Sequence, residues 1–308
     1  MVGDLFHDPV MVEEVLEALK DATEGLILDG TLGGGGHTEA MLTRWPRCRV
    51  LGVDRDPEAI RAATERLAPF SDRVRFLEMR FDHAMDDAEV REAGLDGALL
   101  DLGVSSWQLD QEQRGFSFRR GQALDMRMGS SGPTAADLLN EFSETELARV
   151  FKEYGEEPKA RRLAREVVRR RGDQPFRTSD DLVAAHARSL GRIPGPKEKA
   201  RVFQALRISV NRELEALAGA LPRIRDALNP SRVLTAIAYH SLEDRIVKGA
   251  FREWSRECLC PPGLPVCMCR GRALGAPVFK GLQRPSPEEI EKNSRARSAC
   301  FRAWRRAA

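Results

Sequence analysis

The sequence predicts an α/β fold: a doubly wound parallel sheet carrying an all-helical insertion. Three observations carry it. Short apolar runs without polar alternation recur through the first part of the chain with helical stretches between them, as strands buried on both faces require. The run Leu26-Ile27-Leu28 leads straight into Asp29-Gly-Thr-Leu-Gly-Gly-Gly-Gly-His37, and the next strand closes on an acid, Leu51-Gly-Val-Asp54. After about Gln108 strand patterns stop and helical spacing takes over, until one strand pattern returns at Val233 to Tyr239.

In chain order, Leu26 to Asp29, Arg49 to Asp54, Val74 to Glu78 and Gly97 to Leu102 read as the parallel strands, with Pro57 to Leu67 a helix between the second and third. Ser143 to Tyr154, Pro158 to Arg171, Ser179 to Leu190 and Lys197 to Leu217 read as helices. Ser298 to Trp304 reads either as a last edge strand or as a helix. The simplest account is a discontinuous α/β domain, residues 1–112 and 205–308, with a helical domain inserted at residues 113–204.

The glycine-rich turn is the first candidate site. Glycine lets backbone approach a ligand without Cβ interference, and an acid about 20 residues further on, at the next strand's end, can accept from ribose hydroxyls. An adenosine-containing cofactor follows. The turn is not GxGxxG: it begins with Asp29 and ends with His37, which suits a cationic group at its mouth better than a pyrophosphate. A nicotinamide dehydrogenase is thereby disfavoured.

With 308 residues, 42% hydrophobic and 31% charged, the chain has ordinary globular composition. No apolar run reaches the ~20 residues of a membrane span, and the N-terminus Met-Val-Gly-Asp-Leu-Phe-His lacks a signal peptide's basic and apolar regions. A cytoplasmic protein without membrane association is expected. Net charge is +2, but eight of 49 basic residues are lysine and the rest arginine, whose planar fork suits phosphate. Arg161, Arg162, Arg165, Arg169, Arg170 and Arg171 cluster on one predicted helix and suggest a polyanionic partner, a solvated helix face being the alternative. Cys258, Cys260, Cys267 and Cys269 form two CxC pairs about a proline-rich turn; they can hold a tetrahedral zinc ion, with free thiols or a redox bridge the alternatives.

Loops beyond the strands' carboxyl ends hold the remaining candidates: Asp101 to Asp110, Arg114 to Phe118, Leu124 to Met128, and Tyr239-His-Ser-Leu-Glu-Asp-Arg245. Together with His7-Asp-Pro-Val10, Asp29 to His37, Tyr154-Gly-Glu-Glu157, Phe203 to Ile208 with Val210-Asn211, and Asn293 to Ala299, they resemble, nearly end to end, the bacterial MraW (RsmH) family, which methylates N4 of a cytidine in 16S rRNA.

The resemblance implies a Rossmann-like class I methyltransferase sheet and S-adenosylmethionine as cofactor, with S-adenosylhomocysteine as product. It places the cofactor at Gly35, Gly36, His37, Asp54, Phe81, Asp101 and Gln108. It implies a P-site cytidine of 16S rRNA in the small ribosomal subunit as substrate, leaving open whether the protein forms a homodimer. Hydrogen-bond acceptors near the transferring methyl are the chemical need, and Asp101, Ser105, Ser106 and His240 are the candidates. Arg161, Arg165, Arg169, Arg170 and Arg171 are expected on RNA phosphates. A DNA amino-methyltransferase is disfavoured, because Asp101-Leu-Gly-Val104 stands where such enzymes carry Asn/Asp-Pro-Pro-Tyr/Phe. A ribosome-assembly factor that binds cofactor without turnover is the alternative from another class.

Overall fold

The computed structural model describes residues 9–261, 266 and 268–308, apart from the side chains at 106, 110 and 112. In chain order it builds α1 (Val12–Ala18), β1 (Glu24–Asp29), α2 (Gly36–Arg44), β2 (Arg47–Asp54), α3 (Pro57–Arg66), β3 (Val74–Glu78), α4 (Ala88–Ala93) and β4 (Leu95–Asp101). Helices follow: α5 (Ser106–Asp110), α6 (Ala135–Glu141), α7 (Glu144–Glu153), α8 (Ala160–Asp173), α9 (Ser179–Leu190), α10 (Pro196–Asn211) and α11 (Glu213–Ala227). The remainder forms β5 (Leu228–Ala238), α12 (Ser241–Trp254), β6 (Gly275–Pro277), α13 (Pro287–Lys292) and β7 (Cys300–Arg306). Two compact units result: one runs to Gly103 and resumes at Leu214, the other is Val104–Glu213.

The first unit is a seven-stranded sheet of order β3-β2-β1-β4-β5-β7-β6. The strands from β3 to β5 are parallel, and β7 runs antiparallel to both β5 and β6. This is the Rossmann-like α/β architecture expected from the sequence. Successive β1 residues face opposite sides: Ile27 joins a core with Val50, Leu99 and Phe301, whereas Leu26 and Leu28 join one with Leu51, Leu100, Leu234 and Trp304. Both faces being covered, the strand is apolar without alternation from Leu26 to Leu28. Strand order reverses between β1 and β4, the switch point where open α/β sheets take their ligands.

Two expectations are corrected. β7 is not an edge strand; it is paired on both sides, and the edge belongs to three-residue β6. The span Lys197 to Leu217 is not one helix, because Arg212 adopts a left-handed φ of 51° between α10 and α11. Amphipathic spacing continues on both sides of that residue, which hides the break.

The second unit packs its helices around Leu139, Phe151, Leu163, Val167, Phe176 and Leu206. Buried Asn211 at the end of α10 donates to the Met126 carbonyl at 2.7 Å and accepts from the Met128 amide at 2.9 Å, fixing the Leu124–Met128 loop. Gly115 is required there, since a Cβ would lie 1.9 Å from the Ala123 carbonyl oxygen. Among the described residues no helix is long and apolar enough to cross a membrane.

Candidate active site

The glycine turn grows from β1. Asp29, at its end, is buried; its Oδ2 accepts from the Thr38 hydroxyl at 2.7 Å and its Oδ1 from the Thr31 amide at 3.3 Å. Burial pushes its carboxyl up to about 6, against the opposing pull of His37 and Thr38. Leu32 donates its amide to the Val53 carbonyl at 3.0 Å and Gly33 donates to Asp54 Oδ2 at 2.9 Å, so the turn lies across the end of β2. Thr31 Oγ1 accepts the Asp101 amide at 2.6 Å, which binds the turn to the end of β4 as well.

The glycines differ in their reasons. Gly35 (φ 80°) and Gly36 turn their Cβ positions toward protein: a Cβ on Gly35 would meet Leu67 at 3.0 Å, and one on Gly36 would meet Pro9 at 2.9 Å. At Gly33 (φ 50°) a Cβ would find nothing nearer than the Thr31 carbonyl oxygen at 4.0 Å. Of these three, Gly33 is the one whose Cβ side is open, a position the sequence did not separate from its neighbours.

Asp54 ends β2, with Oδ1 accepting from the Asp56 amide at 2.9 Å while Oδ2 holds Gly33. A carboxylate has about four lone-pair sites; the amides of Gly33, Asp56 and Arg55 draw on three, so acceptor capacity remains for a ribose hydroxyl. Burial pushes this group up to about 6. Phe81 opens the short helical turn after β3, and its Cβ lies 3.3 Å from where a Gly30 Cβ would stand, which brings the ring's stem to the turn.

Asp101 ends β4; its carboxyl is pushed up to about 7 by burial, with the Tyr239 hydroxyl pulling down and Glu243 pushing further up. Its Oδ1 accepts from Tyr239 Oη at 2.9 Å, and its Oδ2 lies 3.7 Å from His37 Nδ1. Nε2 of buried His37 lies 2.9 Å from the Val10 carbonyl oxygen, which can only accept; the neutral ring therefore keeps its proton on Nε2 and presents Nδ1 as a lone pair. Burial holds the His37 pKa below its ordinary value. Tyr239 was missed by sequence reasoning, because it meets Asp101 only through the pairing of β4 with β5. Burial, then Asp101, raises its hydroxyl well above the ordinary tyrosine value.

Glu243, 2% exposed, sets the turn from β5 into α12: its Oε2 accepts from the amides of Tyr239 (2.9 Å) and His240 (3.3 Å). His240 is the N-cap of α12; its Nδ1 accepts from the Glu243 amide at 3.4 Å, and its Nε2 lies 3.1 Å from Glu243 Oε1 without hydrogen-bond alignment. Ser105 and Gln108 belong to the second unit. They form a reciprocal capping box on α5: Ser105 Oγ accepts the Gln108 amide at 3.2 Å and Gln108 Oε1 the Ser105 amide at 3.1 Å. The Ser106 side chain and Cys267, like His7 and Asp8, lie outside the described residues.

The arginine cluster on α8 is heterogeneous. Arg165 faces Glu144 at 3.7 Å, Arg169 forks onto Glu166 at 2.7 Å, and Arg170 pairs with Asp181 at 3.1 Å. Arg171 donates to the Leu139 and Phe142 carbonyls at 3.0 and 2.6 Å, closing the end of α6. Arg161 and Arg162 are exposed, with no ion pair among the described residues.

The residues fit S-adenosylmethionine. A ribose acceptor stands at Asp54, the turn is open at Gly33, and Asp29, Asp54 and Asp101 have no lysine or arginine partner among the described residues, so a cationic ligand relieves them. The model of the MraW methylase family matches residues 4–307. A small-subunit rRNA methyltransferase H of Gemmatimonas aurantiaca is 49% identical over 309 residues, covering 98% of this chain and 96% of that one. The protein of the same name from Heliobacterium modesticaldum is 48% identical over 306 residues, covering 96% and 97%. A solved rRNA methylase from Streptococcus thermophilus overlays loosely, at TM-score 0.44 and 10% identity, covering 95% of this chain and 93% of that one. By the span of the family match and the identity of these relatives, the chain belongs to the MraW methylase family.

Proposed function

We propose that this chain methylates small-subunit rRNA, transferring the methyl group of S-adenosylmethionine to the exocyclic N4 amine of a P-site cytidine in 16S rRNA. The observation that carries the reading is Asp101: a carboxyl at the sheet's switch point, pushed up to about 7, with one oxygen held by Tyr239 and the other turned toward His37. The names of relatives at 48 and 49% identity support the substrate.

When bound, S-adenosylmethionine supplies a methyl group already activated by its sulfonium. An exocyclic amine conjugated with its ring is a weak nucleophile that must shed a proton as it gains the methyl. Asp101 answers both needs: its carboxylate accepts the amine's hydrogen, drawing the lone pair out of conjugation, and a value near 7 suits it to take the proton at neutral pH. Tyr239 fixes Oδ1, leaving Oδ2 for this work. His37 offers Nδ1 as the next acceptor. His240 and Ser105 serve by shaping the loops that they cap. Asp54 takes the ribose, Gly33 to His37 pass beside the cofactor, and Phe81 borders the adenine. The helical unit recognises the RNA, with exposed Arg161 and Arg162 reaching phosphate and Arg165 and Arg169 exchanging their acidic partners for it.

The test is incubation of purified protein with labelled S-adenosylmethionine and small subunits from a strain lacking the activity, followed by digestion and mass spectrometry of nucleosides. Label in N4-methylcytidine at one site is expected. Label in another nucleoside overturns the reading, and no label with S-adenosylhomocysteine binding intact identifies a non-catalytic assembly factor.

A further inference from the structure

Between α12 and β6 the described residues are clasped at the base and bring cysteine sulfurs together beyond it. At the base, the Leu274 amide donates to the Trp254 carbonyl at 2.8 Å, and the Arg270 guanidinium reaches Glu253 Oε1 at 2.8 Å, the Glu253 carbonyl at 2.5 Å and the Arg256 carbonyl at 3.1 Å. Beyond the clasp, two apolar side chains among the described residues face solvent: Val266 is 66% exposed and Met268 82%. Exposed apolar side chains supply no packing, so these described residues need some other tie to hold one conformation.

The tie is visible in the sulfurs. Cys258, Cys260 and Cys269 place their Sγ atoms within 4.8 Å of one another. Cys258 and Cys269, eleven residues apart, stand 3.8 Å sulfur to sulfur. A disulfide needs about 2.05 Å, whereas two thiolates on a zinc ion at about 2.3 Å lie about 3.8 Å apart at the tetrahedral angle. The amides reinforce this. Leu259, between the first two cysteines, donates to Cys269 Sγ at 3.1 Å, and Met268, beside Cys269, donates to Cys260 Sγ at 3.3 Å. Each arm of the segment thus directs a backbone N–H at a sulfur of the other, supplying partial positive charge where metal-bound thiolates carry negative charge.

We propose that Cys258, Cys260 and Cys269 bind one zinc ion, a structural centre that closes this segment and lies apart from the methyl-transfer residues. Soft thiolates select zinc over magnesium or calcium. The centre acts by ordering the segment, since binding free energy at such a site is folding free energy for the chain around it.

Elemental analysis of the full chain, purified without chelator or added metal, tests this. About one zinc per chain is expected, falling below about a tenth in Cys258→Ser/Cys269→Ser and unchanged in Cys300→Ser, whose thiol sits on β7. A second measurement needs no variant: titration of the wild type with an organic mercurial in the presence of a metallochromic dye releases the zinc as the thiols react. Limited proteolysis after that release cuts between residues 255 and 273 while the sheet stays intact. A wild type that stays free of zinc after exposure to equimolar metal and desalting overturns the proposal. So does iron in place of zinc, or a disulfide among these cysteines in the isolated protein.

Discussion

Three buried carboxyls give the site its own titration. The folded-state values of Asp29 and Asp54, about 6, and of Asp101, about 7, lie above their unfolded values near 4, so protonation favours the folded chain. That contribution is complete below about pH 4 and is lost as pH rises through each folded value. A cation in the site reverses the preference, because it favours the ionised carboxylates. Calorimetric titration should therefore show S-adenosylmethionine binding more tightly as pH rises from about 5.5 to 8, and more steeply than S-adenosylhomocysteine, which lacks the sulfonium; parallel curves would count against it. Tyr239→Phe removes the donor that holds Asp101 down, so the acid limb of the rate profile should move to higher pH. The rate at pH 7 should fall by roughly tenfold with S-adenosylhomocysteine affinity unchanged. Asp54 and Asp101 were legible as acids at strand ends. Tyr239 was not, because it lies 138 residues from Asp101 and only strand pairing joins them. The Ser105 and Gln108 caps were legible as Ser-x-x-Gln, a spacing that the loop's chemical interest overshadowed.

At the level of elements, the parallel strands announced themselves because both faces of each are buried. β7 did not, since alternate residues such as Arg302 remain half-buried and reach Asp244 on α12 at 2.6 Å, which breaks the apolar run. Trp304 on that strand packs against Trp254 of α12 with ring centroids 5.1 Å apart and donates to Ser255 Oγ at 3.1 Å. Truncation to alanine should cost about 3–5 kcal/mol in chemical denaturation. The glycine turn was legible as a turn but not glycine by glycine. Gly35→Ala forces a side chain onto a φ of 80° and toward Leu67, so a loss of about 1–3 kcal/mol is expected in the same assay. A melting curve unchanged by that substitution would contradict the packing reason given for this residue.

For the molecule as a whole, several stretches that carry the family resemblance hold the helical unit together. Asn211 ties the Leu124–Met128 loop to α10, and Glu157, 3% exposed, pairs with Arg201 at 3.2 Å. Sequence alone could not divide these structural positions from those that face a ligand. The arginine cluster divides likewise, since Arg171 closes a helix end while Arg161 and Arg162 face solvent. Replacing Arg161, Arg162 and Arg165 with glutamine should weaken rRNA binding and flatten its salt dependence by up to about two to three logarithmic units of slope, with cofactor affinity intact. Filter binding across salt concentrations measures this, and equal slopes would remove α8 from the RNA surface.

The most direct measurement is single-turnover methylation of unmodified small subunits at saturating S-adenosylmethionine across pH, comparing wild type with Asp101→Asn. With Asp101 as the acceptor of the amine's proton, the wild-type rate falls about tenfold per pH unit below about 7, and the variant is slower by about 10²–10⁴-fold with that limb gone. A variant that keeps the wild-type rate within a few-fold and the same acid limb would contradict it.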